Sequence, residues 1–296
     1  MSENTGLDDH NKTTKPNTWL NEFAKSVTSQ YGENGIIEKV LDVINDSNKW
    51  CVEFGSWDGK KSSNTFNLIS AKDYSAVLIE GDPRRFRDLL KTIEGNKKVV
   101  PINAFVGFEE NNCLDSLLKT TQIPVDFDLL SIDIDGNDYY VWQDVQHYKP
   151  KVVVIEFNPT IHKSVEFVQP RDVRVTQGSG LLSISKLAKS KGYELVSTTK
   201  TNAIFVDSKY FGLFGITDNS VEVMMTDESA ITYIFCGYDG TVFLRGCRIM
   251  PWQKIAYQES RVQQLPKWAR KMVGDRNILR RKLGKYYRRL RKKNII

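Results

Sequence analysis

The segment Ser131-Ile132-Asp133-Ile134-Asp135-Gly136-Asn137-Asp138 crowds three carboxylates into a short stretch. Side chains alternate along an extended chain, so Asp133 and Asp135 share a face. Carboxylates this close repel one another unless a proton, a cationic ligand or a hard divalent metal such as magnesium stands among them. Asp133, Asp135 and Asp138 are therefore candidate metal ligands, and Asp133 and Asp135 are candidate catalytic acids. The structural alternative is a turn at Asp135-Gly136-Asn137 with Asp138 capping the next helix. Downstream, Glu156-Phe157-Asn158-Pro159 adds a carboxylate and an amide, so Asp138, Glu156 and Asn158 are candidates for holding a substrate. His162 is a candidate general base, because an imidazole titrates near neutrality; its alternative is a solvent-facing loop histidine.

A second set lies upstream. Glu53-Phe54-Gly55-Ser56-Trp57-Asp58-Gly59 follows a strand-like run and reads as a ligand loop opening a helix. Glycine permits positive φ and close backbone approach, and the following helix terminus offers unpaired N–H groups, so Glu53, Gly55, Ser56 and Gly59 are candidate cofactor contacts. The alternative is an ordinary strand-to-helix turn. Glu80 falls at the tip of the second strand, where an acid can accept both hydroxyls of a ribose; its alternative is a surface acid beside Arg84 and Arg85. The loop lacks the third glycine of Gly-x-Gly-x-x-Gly and is a poor pyrophosphate cradle, which favours S-adenosylmethionine, a cofactor without phosphate, over NAD.

These residues need a scaffold that brings strand tips together. Between residues 50 and 207, short Val- and Ile-rich runs alternate with segments of helical period, the pattern of a parallel sheet covered by helices. Strands are expected at 49–54, 76–80, 98–102, 127–134 and 151–157, and a hairpin at 193–198 and 202–207. Ile36, Ile37, Val40, Leu41 and Ile44 predict an amphipathic helix before the first strand. Further helices are expected at 62–70, after Asp82-Pro83, at 114–119, 138–146 and 181–191. The fold class is α/β, and the ordering resembles the class I methyltransferase sheet, Rossmann-like with an antiparallel final hairpin. Residues 17–209 form this domain. A small β-rich appendage is expected over 210–265, with strands at 221–225, 231–235 and 242–244, and a basic amphipathic helical tail over 266–296.

Several motifs in register carry a family resemblance. Val52-Glu-Phe-Gly-Ser-Trp-Asp-Gly59, Val77-Leu-Ile-Glu-Gly-Asp-Pro83, Asn103-Ala104 with Gly107, Asp128 to Asp138, and Pro150-Lys-Val-Val-Val-Ile-Glu156 resemble FkbM-type S-adenosylmethionine-dependent methyltransferases. Ser29-Gln-Tyr-Gly-Glu-Asn-Gly35 is similar to the opening motif of a related bacterial and viral group. The resemblance implies that Glu53, Gly55 and Gly59 line the methionine and ribose of the cofactor, that Glu80 holds the ribose hydroxyls, and that Asn103 and Ala104 flank adenine. It also implies that Asp133 faces the reacting centre, that Asp135 or Asp138 orients the acceptor or a metal, and that the acceptor is a hydroxyl of a sugar, glycan or related small molecule. The sequence departs from the family at Asp135, where glutamate is usual, and at Trp57 and Asp58, where small residues are.

The chain has 296 residues, 40% hydrophobic and 26% charged, which excludes disorder throughout and a disulfide miniprotein. Its apolar runs are strand-sized, so no membrane span is expected. Residues 1–16 are polar and read as a disordered leader, and four scattered cysteines suit a reducing cytoplasm. The formal charge is +6, yet residues 266–296 hold 13 Lys or Arg against Asp275 alone, which leaves the other 265 residues at −6. That tail invites an anionic partner: nucleic acid, lipid headgroups or an acidic protein. The competing functions are accordingly a nucleic-acid-modifying or RNA-binding protein, and a non-catalytic Rossmann-like assembly module.

Overall fold

In the computed structural model, which describes residues 15–271, 274 and 276–294, the apolar runs become one seven-stranded sheet. Its strands are β1 (Trp50–Phe54), β2 (Ser75–Ile79), β3 (Val99–Ile102), β4 (Leu129–Ile132), β5 (Val152–Glu156), β6 (Tyr193–Thr198) and β7 (Asn202–Asp207). The order is β3-β2-β1-β4-β5-β7-β6. The first five are parallel, while β7 runs antiparallel to both β5 and β6. This is the mostly parallel sheet with an antiparallel hairpin expected for a class I methyltransferase fold. The polar leader expected over 1–16 lies, as far as residue 14, outside the described residues.

The helix α1 (Glu33–Ile44) precedes the first strand, α2 (Phe66–Ala71), α3 (Pro83–Thr92), α4 (Leu114–Leu118), α5 (Asp138–Asp144) and α6 (Leu181–Ser190) connect the strands, and α7 (Ser208–Phe211) follows the last of them. Ile36, Ile37, Val40 and Ile44 of α1 are buried, as their spacing predicts. Asp82 caps α3 by accepting from the Arg84 and Arg85 amides, with Pro83 at the first helical position. The helix expected from residue 62 starts only at Phe66. Ser63 and Thr65 spend their hydroxyls on Glu53 at 2.6 and 2.7 Å, which holds the chain out of helical form up to that point. The run 221–225, expected as a strand, is instead a helical turn, α8 (Val221–Met224). Its buried residues, Val221 and Met224, stand three apart, which places both on one side of a helix and on opposite sides of a strand.

Two compact units divide the chain, Met1–Thr226 and Asp227–Ile296. The second holds an antiparallel hairpin of β8 (Thr232–Cys236) and β9 (Val242–Gly246), and a long helix, α9 (Ile278–Lys292). Among the described residues no helix is long and apolar enough to cross a membrane.

At the amino end of the large sheet, Asp128 is fully buried. It accepts from the Asn48 and Lys49 amides at 3.1 and 2.9 Å and from Lys151 Nζ at 3.0 Å, while Lys151 also donates to the Asp46 carbonyl at 2.8 Å. A buried charge stripped of its partner is costly. Lys151→Met is therefore expected to lower stability by about 3 kcal/mol, read as a shift of the urea midpoint at unchanged slope.

Candidate functional site

Register places the polar residues at the carboxyl end of the sheet. Glu53 aligns with Ser131, Ser131 with Val154, and Glu156 with Asn202. With side chains alternating along each strand, Glu53, Ser131, Asp133, Glu156 and Asn202 face the same side. The turn before α1 covers that side. Asn34 accepts from the amides of Val27, Thr28 and Ser29 and donates to the Ser63 and Asn64 carbonyls; Asn64 in turn donates to Ser131 Oγ at 3.0 Å. Glu33, also buried, accepts from Thr199 Oγ1 at 2.6 Å and Asn202 Nδ2 at 3.3 Å. A Cβ at Gly35 would stand 2.1 Å from the Phe23 carbonyl, so only glycine lets this turn close. The motif at residues 29–35 is thus the clamp over the site.

Glu53 is a bracket. Both carboxylate oxygens are taken, by Ser63 and Thr65 hydroxyls and by the Asn64 amide at 2.8 Å, and although burial pushes its pKa up, these donors pull against the rise. The loop that follows is held from two directions. Gly55 has φ +72 and a Cβ there would lie 1.9 Å from the Asp133 carbonyl, so β1 and β4 touch at their tips. Glu80, buried just beyond β2, accepts from the Trp57 amide at 2.8 Å and the Asp82 amide at 2.7 Å, leaving each oxygen a further lone pair. Ser56 is buried and donates to the Ile79 carbonyl, and Gly59 closes the turn onto the Ser56 carbonyl at 2.7 Å. The loop does not open α2, which starts only at Phe66. Asn103 donates to the Glu80 carbonyl at 2.7 Å, and Ala104 is half-buried beside it.

The acids of the β4 tip divide. Asp138 accepts from the Ile134 and Gly136 amides, both at 2.9 Å, and so braces the turn in which Asp135 adopts φ 57. Asn137, not Asp138, occupies the cap position of α5. Asp133, Asp135 and Glu156 each bring a carboxylate oxygen within 4.8 Å of the others, a set of hard donors suited in kind to a divalent cation; Asp138 is outside this set. Burial first, then the charges of Asp138 and Asp135 with Glu53 and Glu33 behind them, pushes Asp133 well above the ordinary carboxylate range. Burial and the neighbouring Asp133, Asp138 and Asp135 do the same to Glu156. Burial raises Asp138 as well, against the pull of its two amides.

Asn158 and His162 belong to the connection after β5. Asn158 accepts from Thr160 and donates to the Gln177 carbonyl at 2.7 Å, closing that loop on itself, and His162 Nδ1 meets Ser164 Oγ at 2.7 Å. Buried Gln169 organises the rest: it accepts from the Gln177 and Gly178 amides and donates to the Val175 carbonyl, while Tyr140 and Asn137 donate to the same loop. The loop thereby lies on the β4–α5 turn.

Gln169, Asn202 and Phe105 are not among the residues that motif and spacing single out, and Glu33 is singled out only as part of the motif at residues 29–35. Phe105 is 73% exposed, with its ring lying over Gly81, where a Cβ would be 2.3 Å from it. Trp57, held at φ 50, is flanked by Lys61 at 4.4 Å and Arg85 at 4.6 Å from its ring. Trp57 and Phe105 thus stand beside Glu80 and Gly81 respectively. An exposed phenylalanine after the third strand is a readable signal; the glutamine and asparagine reveal themselves only through contacts distant in sequence.

No family model matches the sequence, and no curated protein matches it. Solved structures similar in chain path include the N-terminal domain of EvdMO1 with SAH bound, 12% identical over 59% of this chain and 80% of that one, TM-score 0.38. A SAM dependent methyltransferase from Aquifex aeolicus is 9% identical over 63% and 94%, TM-score 0.37. M. jannaschii TYW2 in complex with AdoMet is 17% identical over 62% and 80%, TM-score 0.34.

A carboxyl whose folded pKa lies above its unfolded one costs nothing below about pH 4 and weighs increasingly against the fold as pH rises through the folded value. Asp133→Asn and Glu156→Gln should therefore raise the melting temperature at pH 8 by about 2–4 °C, with the gain shrinking towards pH 4. Thermal scans across that range test this, and a lower melting temperature for both variants at pH 8 would contradict the crowding described.

Proposed function

We propose that the chain is an S-adenosylmethionine-dependent methyltransferase that methylates a hydroxyl of a sugar, glycan or related small molecule, in the cytoplasm. The observation that carries the reading is the convergence of Gly55, Glu80 and Asp133 at the tips of β1, β2 and β4, the switch region where open α/β sheets take ligands. The resemblance in motif order between residues 29 and 207 supports it. Bound S-adenosylmethionine supplies an electrophilic methyl group on a sulfonium.

Around it each residue has a task. Glu80, with lone pairs left on both oxygens, accepts the ribose hydroxyls, and the exposed ring of Phe105 offers a face to the base beside Asn103 and Ala104. The backbone of Gly55 and Ser56 lines the path between ribose and sulfonium. Asp133, in negative surroundings, favours the sulfonium electrostatically and holds the acceptor oxygen in line, where positioning yields much of the rate. Asp133 takes the hydroxyl proton, since its pKa, pushed up to about 8, lies near neutrality, while Glu156, pushed up to about 10, keeps its own proton there. A hard divalent ion among Asp133, Asp135 and Glu156 would orient the acceptor oxygen there.

Calorimetric titration with S-adenosylmethionine and S-adenosylhomocysteine tests the reading. The wild type is expected to bind both, Glu80→Gln to bind about tenfold or more weakly, and Asp133→Asn to bind but lose transfer. A wild type that binds neither overturns the proposal. Cationic ligands favour the ionised acids, so affinity for S-adenosylmethionine should rise with pH from about 6 to 8, more than that for the uncharged-sulfur product.

A further inference from the structure

The second unit ends in a helix with two unlike faces. Along one, α9 sits on the segment just before it: Gly284 is buried against Ala269, Tyr287 meets Trp268 edge-on at 5.1 Å between ring centres, and Arg288 donates to the Ala269 carbonyl. Arg280 and Arg291 reach the Trp268 carbonyl and Gln264 at 3.3 and 2.9 Å. The other face carries Leu279, Leu283 and Tyr286, 68%, 51% and 61% exposed, at i, i+4 and i+7, with Leu290 continuing the row. Exposed Lys282, Lys285 and Arg289 run along one border of this stripe and Arg280 and Arg291 along the other. From Ile278 to Lys292 the helix contains eight Lys or Arg and no acid.

We infer that α9 docks this protein flat onto an anionic lipid bilayer, with Leu279, Leu283 and Tyr286 at the acyl boundary and the flanking cations among the headgroups. Charge complementarity requires an anionic occupant, and the apolar stripe decides which. A phosphate backbone rewards the cations but gives nothing for exposed leucines, whereas a bilayer interface satisfies both. The helix is too polar to span and has the composition of one that lies in the interface plane.

The test uses the full chain and sedimentation with vesicles of phosphatidylcholine alone or with about 30% phosphatidylserine. Partition onto the anionic vesicles only, falling as salt rises, is expected. Leu279→Ser/Leu283→Ser keeps every charge and alters exposed positions, so its fold should stand, verified by an unchanged thermal midpoint; its partition should drop about tenfold or more. Lys282→Glu/Arg289→Glu should drop at least as far. Any of these results overturns the inference: no sedimentation of the wild type with anionic vesicles, a serine variant that partitions like the wild type, or single-stranded RNA bound by the wild type and serine variant alike and displacing the vesicles. Self-association through the stripe, seen as a concentration-dependent dimer in ultracentrifugation that the serine variant abolishes, would also overturn it.

Discussion

Crowded, partly buried negative charge is the constraint on which the site end of this fold depends. At the carboxyl ends of β4 and β5, the charges of Asp138, Asp135, Glu53 and Glu33 bear on Asp133, and those of Asp133, Asp138 and Asp135 bear on Glu156. Three of them are held by donors from the chain: Glu53 by the turn before α2, Glu33 by the β6–β7 hairpin, Asp138 by the turn it braces. These bonds explain features that otherwise look arbitrary, including the late start of α2 and the fixed turn before α1. Asp133, Asp135 and Glu156 are left chiefly to one another, with the Asp135 amide bonded to Glu156.

The two ends of the sheet solve the same problem differently. At the amino end, buried Asp128 has a buried lysine, two backbone amides and a serine hydroxyl. Nothing is left for a ligand. At the carboxyl end, among the described residues, no lysine or arginine forms an ion pair with Asp133, Asp135 or Glu156. A fold that places a cation beside one buried carboxylate and withholds it from a trio has not merely tolerated acids, because unrelieved repulsion is selected against unless something else relieves it. The relief is then external: protons in the free protein, and on the proposed reading a sulfonium or a divalent ion.

Strands and their order were legible because a parallel sheet buried on both faces needs continuous β-branched runs, and β5, Val-Val-Val-Ile-Glu, has them. The cap of α3 was legible because aspartate and proline act locally. Positions 221–225 misled because two β-branched residues in a five-residue run satisfy strand propensity, while burial at a three-residue interval belongs to the tertiary structure. At the site, Glu80, Asp133 and the Gly55 turn follow from strand tips that pattern can locate. The division of labour among acids does not: whether Asp138 or Glu156 joins Asp133 depends on which carboxylate the turn amides capture, and that is a matter of a φ of 57 at Asp135. Glu53 illustrates the same limit, since motif position marks it as a ligand contact and does not show the bonds it accepts from Ser63, Asn64 and Thr65.

The separation of charge along the chain bears on what the site can accept. The −6 of residues 1–265 includes the acidic rim, while the excess positive charge lies in residues 266–296. A rim of one sign repels like-charged solutes and concentrates opposite ones. Phosphorylated or carboxylated acceptors are therefore disfavoured close to Asp133 and Glu156, and so is a pyrophosphate cofactor at a loop without a third glycine. On the proposed reading, a cationic donor with a neutral acceptor suits both demands, and a hydroxyl fits that part because it becomes a nucleophile by giving up a proton to a nearby carboxylate, whereas an ammonium would be held protonated by the same rim.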